Sequence, residues 1–207
     1  QEPFRFNAEN YGGRIDLVRR ELTEINPLFV FNLVEAVDGT DSLQYIAPDV
    51  FEELKIPYTG CTLDAFLKTQ MKTDAKELMR KRKIPTPDYV TLRRLNSVKF
   101  NGRRFLIKSN KEHASKGLSS ELLTDRESIM AVLEEKGDDF FAEEYIERED
   151  GGEFNISLMG SLENCIVLPV AKMTFYDWPE GEPMILDYDA KWNHKSPKYD
   201  KTFRSFE

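Results

Sequence analysis

The stretch Ile107-Lys108-Ser109-Asn110-Lys111-Glu112-His113-Ala114-Ser115-Lys116-Gly117-Leu118 sets the terms for reading the whole chain. A lysine closes a strand-like run, Arg104 to Lys108, and a loop of small residues ending in glycine follows it. Such a loop can turn several backbone N–H groups towards one anion, while the lysine supplies a point charge for phosphate. The same composition also makes an ordinary solvated turn. Whether it holds phosphate depends on what the rest of the chain supplies.

At 207 residues, with 40% hydrophobic and 32% charged side chains, the chain can bury a real core in one or two domains. A net charge of −8 and a pI near 5.0 argue against broad contact with nucleic acid but leave room for a local basic pocket. Cys61 and Cys165 lie far apart in apolar contexts, without metal or redox spacing, which predicts buried free thiols in a reducing compartment. No run approaches the roughly 18 apolar residues of a membrane span, and Gln1-Glu2-Pro3-Phe4-Arg5 is not a signal peptide. A cytoplasmic protein with no nucleic-acid or membrane partner is expected.

Ile15, Val18, Leu22 and Ile25 recur at helical spacing, and Asn26-Pro27 stops that helix. Leu28 to Val34 is a continuous apolar run, which predicts a strand covered on both faces. A helix over Ala47 to Leu54 leads to Ile56-Pro57-Tyr58-Thr59-Gly60, giving the cadence of an α/β layer. With no strand or glycine turn ahead of the first helix, residues 1–60 read as the latter half of such a domain. Residues 61–207 read as α+β. A helical stretch over Thr62 to Lys83 should break near Lys68 to Lys72, and Ile84-Pro85-Thr86-Pro87 enforces an extended crossover. Strands are predicted at Tyr89–Leu92, Arg104–Lys108 and Phe140–Ile146, with Asn101-Gly102 suited to a hairpin. Thr124 and Glu127 form a capping-box pair for a helix that Gly137 closes. Glu153 to Leu158 alternates with period two, Cys165 to Val170 returns after a turn at Gly160, and 193–207 is expected to be loop.

Three further segments bear on the phosphate reading. Lys72 precedes a helix; by itself it is one solvent-facing lysine among many. Phe141-Ala142-Glu143-Glu144-Tyr145-Ile146, with Glu153 beyond Gly151-Gly152, can offer backbone amides and carboxylates to a flat polar ring, or can be a charge-protected edge strand. Leu186-Asp187-Tyr188-Asp189-Ala190-Lys191-Trp192 sets a lysine among acidic and aromatic residues, which by itself could be a strand-end salt bridge.

The order and wording of these segments resemble the ATP-grasp superfamily, most closely its D-alanine–D-alanine ligase-like branch. Phe31-Asn32-Leu33-Val34-Glu35-Ala36, the two proline phrases at Ile56 and Ile84, the Lys108 loop and Asp187-Tyr188-Asp189-Ala190-Lys191 match five phrases of that branch in order, over roughly residues 28–192. The resemblance implies an ATP-grasp fold of class α+β: the remainder of an N-terminal α/β domain at 1–60 and a central nucleotide-clamping domain at 61–207. It implies ATP and magnesium as cofactors and an ATP-dependent carboxylate–amine ligase acting through an acyl phosphate on small amino-acid or peptide-like substrates. Lys72 and Lys108 would contact the nucleotide phosphates, and the loop carrying Ala114, Ser115 and Gly117 would close over them. Glu143, with backbone groups of Glu144 and Ile146, would read adenine; Glu153 would hold the ribose hydroxyls. Lys191 would approach the terminal phosphates and, with Lys108, offset developing charge. Trp192 would border the substrate.

The chain departs from the branch where the branch carries serine at the position of Ala114 and tyrosine at that of Trp192, so D-alanine as substrate is in doubt. The glycine-rich phrase after the first strand reads Val37-Asp38-Gly39-Thr40-Asp41-Ser42. The branch's metal-binding carboxylates and asparagine would lie beyond Glu207, no metal ligand is assigned, and the chain looks like a central piece of a longer ligase, inactive alone. A nucleotide-binding module without turnover and a true D-alanine–D-alanine ligase stay open as alternatives. So does the oligomeric state, a homodimer included.

Overall fold

The computed structural model describes residues 14–112, 115, 118, 120–147, 152–161 and 163–206. They form two compact units: residues up to 86 together with 110–112, and residues 87–109 with those from 115 onward. The boundary expected at residue 60 falls inside the first unit. There the Glu52 carboxylate accepts from the Tyr58 hydroxyl at 2.7 Å and from Leu63 N at 2.8 Å. Gln70 Nε2 also donates to the Ser42 carbonyl at 2.7 Å, so the helices after residue 60 are tied to those before it.

The first unit holds α1 (Ile15–Ile25), α2 (Ile46–Glu53), α3 (Leu63–Thr69) and α4 (Lys72–Lys81). The stripe Ile15, Val18, Leu22 of α1 packs on Ala47, Val50 and Phe51 of α2. Asn26, left-handed at φ 45°, ends α1 by donating its N–H to Leu22 O, one residue before proline blocks continuation. The break between α3 and α4 falls at Gln70-Met71, where the periodicity places it. The expected buried strand at Leu28–Val34 is not there. This segment pairs at a single parallel bridge, Val30 to Tyr58. Val30 and Val34 reach the core, but Leu28 and Leu33 stand 77% and 76% exposed. A strand covered on both faces needs neighbours along its length, and one bridge does not supply them.

The second unit is built on two antiparallel sheets. β1 (Tyr89–Val90), β2 (Phe105–Ser109) and β3 (Phe140–Glu144) are ordered β1-β3-β2, with α5 (Arg126–Lys136) against one face. Val90, Ile107 and Ala142 lie in register on that face and form the core with Phe105, Ile129 and Leu133. β4 (Gly152–Asn155), β7 (Ala171–Phe175) and β8 (Thr202–Phe206) make the second sheet in the order β4-β7-β8. β5 (Leu158–Met159) and β6 (Ile166–Val167) form a small hairpin, and α6 (Tyr188–Trp192) lies between β7 and β8 in sequence. Mixed helix and sheet of this kind bears out the α+β class.

Several local expectations are corrected. Asn101-Gly102 does turn the chain at positive φ. The flanking strands do not pair with each other, however, because β3 inserts between them. Asp125, not Thr124, caps α5, its carboxylate accepting from Ser128 N at 2.8 Å. The Asp187 segment is the N-cap and body of a short helix rather than a strand end. Residues 202–206, expected as loop, are fully paired with β7. Cys61 and Cys165 are free as expected but exposed rather than buried, since each sits in a connecting loop. Among the described residues no helix is long and apolar enough to cross a membrane.

Candidate functional site

The face of the first sheet opposite α5 carries Leu106, Lys108, Phe141 and Glu143, because side chains alternate along a strand and opposed residues share a face. Lys108 stands opposite Phe141 and one step diagonal to Glu143. Its ammonium donates to the Glu143 carboxylate. The lysine and the acid expected at the phosphate and adenine ends of one ligand are thus brought together as an ion pair. Both side chains are partly sheltered, so the pair is worth more than a solvent-exposed one.

Glu144 follows on the opposite face and is spent on structure. Arg103 Nε donates to its Oε1 at 2.7 Å, and the same guanidinium donates to Asp88 at 2.6 Å. The arginine bond holds the Glu144 carboxyl below the usual carboxylate range, and the two acids raise the arginine further above its own. Glu144 N donates to Asp88 O at 2.8 Å and Tyr145 N to Arg104 O at 2.7 Å. Ile146, just past the strand end, is exposed. The strand stops two residues short of the predicted Ile146, leaving Tyr145 and Ile146 as the start of a linker.

The second sheet floors an open groove of about 1000 Å³. Small-molecule sites run from about 300 to 1,000 Å³. Glu153 of β4 and Lys191 and Trp192 of α6 all border it. Three residues picked from two separate phrases therefore meet at one cavity. Leu186, on the same groove, ties Glu153 to the small-residue loop: its N–H donates to Glu153 Oε1 at 2.9 Å, and its carbonyl accepts from Ser115 Oγ at 2.7 Å. Ser115, at φ 65°, is the part of the small-residue loop that the structure describes. Ala114 and Gly117 lie outside the described residues.

α6 is set by its cap. Asp187 Oδ1 accepts from Ala190 N at 2.8 Å, and Oδ2 accepts from Lys198 Nζ at 2.7 Å. These two side chains are 7% and 8% exposed, and Glu182 also pairs with Lys198. Burial works against the Lys198 charge, but the two carboxylates outweigh it and hold the ammonium above the ordinary lysine range. Lys191 follows on the exposed side and, among the described residues, has no ion-pair partner. Trp192 is 56% exposed.

Lys72 belongs to the first unit, at the N-terminus of α4. Its backbone N–H donates to Asn110 O at 3.1 Å, and its ammonium donates to the Glu112 carbonyl. It is therefore seated on the segment that follows Lys108 in sequence. The reading of the sequence missed Arg204, which borders the same groove as Glu153 and Lys191. Its strand was taken for loop, so its position had no meaning there. Among the described residues no three His, Cys, Asp or Glu side chains cluster as a metal site. Asp187 is committed to Lys198 and to its cap.

No family model matches the chain. It is 32% identical over 195 residues to D-alanine–D-alanine ligase of Polaromonas naphthalenivorans, over 89% of this chain and 57% of that one. The D-alanine–D-alanine ligase of Bacillus anthracis in complex with ATP superposes with a TM-score of 0.56 at 18% identity, covering 91% of this chain and 57% of that one. The L-amino acid ligase of Bacillus licheniformis gives a TM-score of 0.57 at 20% identity, over 82% of this chain and 38% of that one. The fold is that of the ATP-grasp ligases. In sequence the chain is similar to the D-alanine–D-alanine ligases of that superfamily. It spans about half the length of the curated relatives it matches.

Proposed function

We propose that the chain is the nucleotide-clamping portion of an ATP-dependent carboxylate–amine ligase. A substrate carboxylate oxygen attacks the γ-phosphorus, the bond to the ADP oxygen breaks, and an acyl phosphate forms. An amine then adds to the acyl carbon, and the tetrahedral intermediate expels inorganic phosphate as the nitrogen loses its proton. The protein's part in such a transfer is mainly position and charge. Lys72 and Lys108 hold phosphate oxygens, and the loop of Ala114, Ser115 and Gly117 covers them. Glu143 and the backbone of Glu144 and Ile146 bind adenine. Glu153 accepts from the ribose hydroxyls, Lys191 offsets charge on the terminal phosphates, and Trp192 borders the acceptor. The described carboxylates do not form a magnesium cage, and no step is routed through the metal; magnesium commonly keeps water and substrate-phosphate ligands beside one or two carboxylates.

The observation that supports this reading is the meeting of Glu153, Lys191 and Trp192 at one groove. Calorimetry with ATP tests it. Lys108→Ala should weaken binding by about 1.5–3 kcal/mol, the scale of a charge-assisted hydrogen bond. Equal affinity in the two proteins would remove the centre of the assignment. A phosphate-release assay with candidate amino acids then separates a ligase from a binding module without turnover.

A further inference from the structure

The groove has a third charged side chain besides Glu153 and Lys191, and its place follows from strand register. Glu153 stands opposite Met173, and Met173 opposite Arg204, so the three share one face in a single row across the sheet. Two strand spacings, roughly 9.5 Å, separate the backbones of Glu153 and Arg204. Lys191 closes the groove above them. The charged side chains bordering it are thus two cations and one carboxylate, in a chain whose net charge is −8. A concave site with locally reversed sign concentrates anions. The carboxylate accepts from Leu186 N at 2.9 Å and keeps its charge, so the groove's bordering side chains carry one net positive charge. Among the described residues the Arg204 guanidinium forms no ion pair and no side-chain hydrogen bond, while its backbone is held in the ladder with β7. An arginine on a sheet edge is often merely solvated; this one faces the groove floor in register with the residue assigned to the ribose.

We propose that Arg204 is a further phosphate-binding residue, its guanidinium gripping nucleotide phosphate oxygens from the β8 side while Lys191 meets them from α6. The proposal rests on the nucleotide reading given above. A planar guanidinium can take two phosphate oxygens at once, which a lysine cannot. Met173, lying between, leaves an uncharged stretch of floor between the ribose and phosphate positions.

The test is calorimetry of this chain and of Arg204→Ala and Arg204→Lys with three probes: ATP, inorganic tripolyphosphate and adenosine. Arg204→Ala should weaken ATP and tripolyphosphate alike by about 10- to 100-fold, as for loss of a charged hydrogen bond, and leave adenosine unchanged. Arg204→Lys should recover part of that loss. ATP affinity equal to wild type in Arg204→Ala overturns the proposal, and so does an equal loss for adenosine, which would mean a structural role. If the unaltered chain takes tripolyphosphate but not ATP, the nucleotide reading falls while the anion site at Arg204 stands. If it takes neither, both fall.

Discussion

Replacing Lys198 by methionine should be the most damaging single change in the second unit outside its aliphatic core. The side chain fills similar volume, so packing against Trp178, whose ring lies 5.4 Å from the ammonium, is largely kept. What changes is the charge balance. Asp187, 7% exposed, loses the cation at 2.7 Å, while its other oxygen stays bound to Ala190 N. Breaking a buried pair from one side costs about 3–5 kcal/mol, because the remaining charge is uncompensated. For a urea slope near 2 kcal/mol/M the midpoint should fall by about 2 M. Trp178 fluorescence reports it directly. Asp187→Asn in the same protein removes the stranded charge and keeps a side chain that caps helices well, so the double variant should recover much of the loss. Because the folded-state Lys198 is raised above its unfolded value, its contribution is complete below about pH 10.4 and disappears as pH rises through the folded value. The gap between wild type and Lys198→Met should hold from pH 7 to 10 and close above. A single variant within 0.5 kcal/mol of wild type, taken as about the scatter of surface changes, would refute the argument, as would a double variant no better than the single.

The Glu144 carboxyl, lowered by Arg103, contributes stability present above about pH 4.3 and lost as pH falls through its depressed value; Glu144→Gln should flatten the acid limb of a stability profile measured by urea midpoints. A Cβ at Gly160 would sit 2.1 Å from the Asn164 carbonyl oxygen, at φ +109°, so Gly160→Ala should open the β5–β6 hairpin, seen as faster amide exchange over 157–168 with the first sheet unaffected. In the intact parent protein, Trp192→Tyr combined with Ala114→Ser should shift acceptor preference towards D-alanine in a substrate screen, since a phenol and a hydroxyl return hydrogen-bonding groups that an indole face and a methyl lack; an unchanged ranking would show that neither side chain borders the acceptor.

Helices were legible in the sequence because their signals are local. The stripe from Ile15 to Leu22, the Asn26-Pro27 stop and the break before Lys72 all appear where periodicity and caps put them. The errors have a common cause, which is pairing at long range. Leu28–Val34 has the composition of a buried strand, but burial depends on neighbours that no run of residues can report. Thr202–Phe206 has the converse character: a mixed, polar run becomes a strand because β7 offers it a ladder. Losing that strand lost Arg204 with it. Glu153, Lys191 and Trp192 were found from phrases, yet the Leu186 backbone that ties Glu153 to Ser115 carries no side-chain signature at all.

That tie has a thermodynamic consequence. Leu186 holds Ser115 through its carbonyl and Glu153 through its amide, so these two side chains share one peptide segment as a common support. If occupancy of Glu153 alters the grip on Leu186, Ser115 feels it, and linkage makes the effect reciprocal. The factor by which making the Ser115–Leu186 bond changes ligand affinity at Glu153 must equal the factor by which that ligand shifts the equilibrium of the bond. One residue's backbone, with no side chain of its own in the exchange, would thereby set how strongly the two groups are coupled.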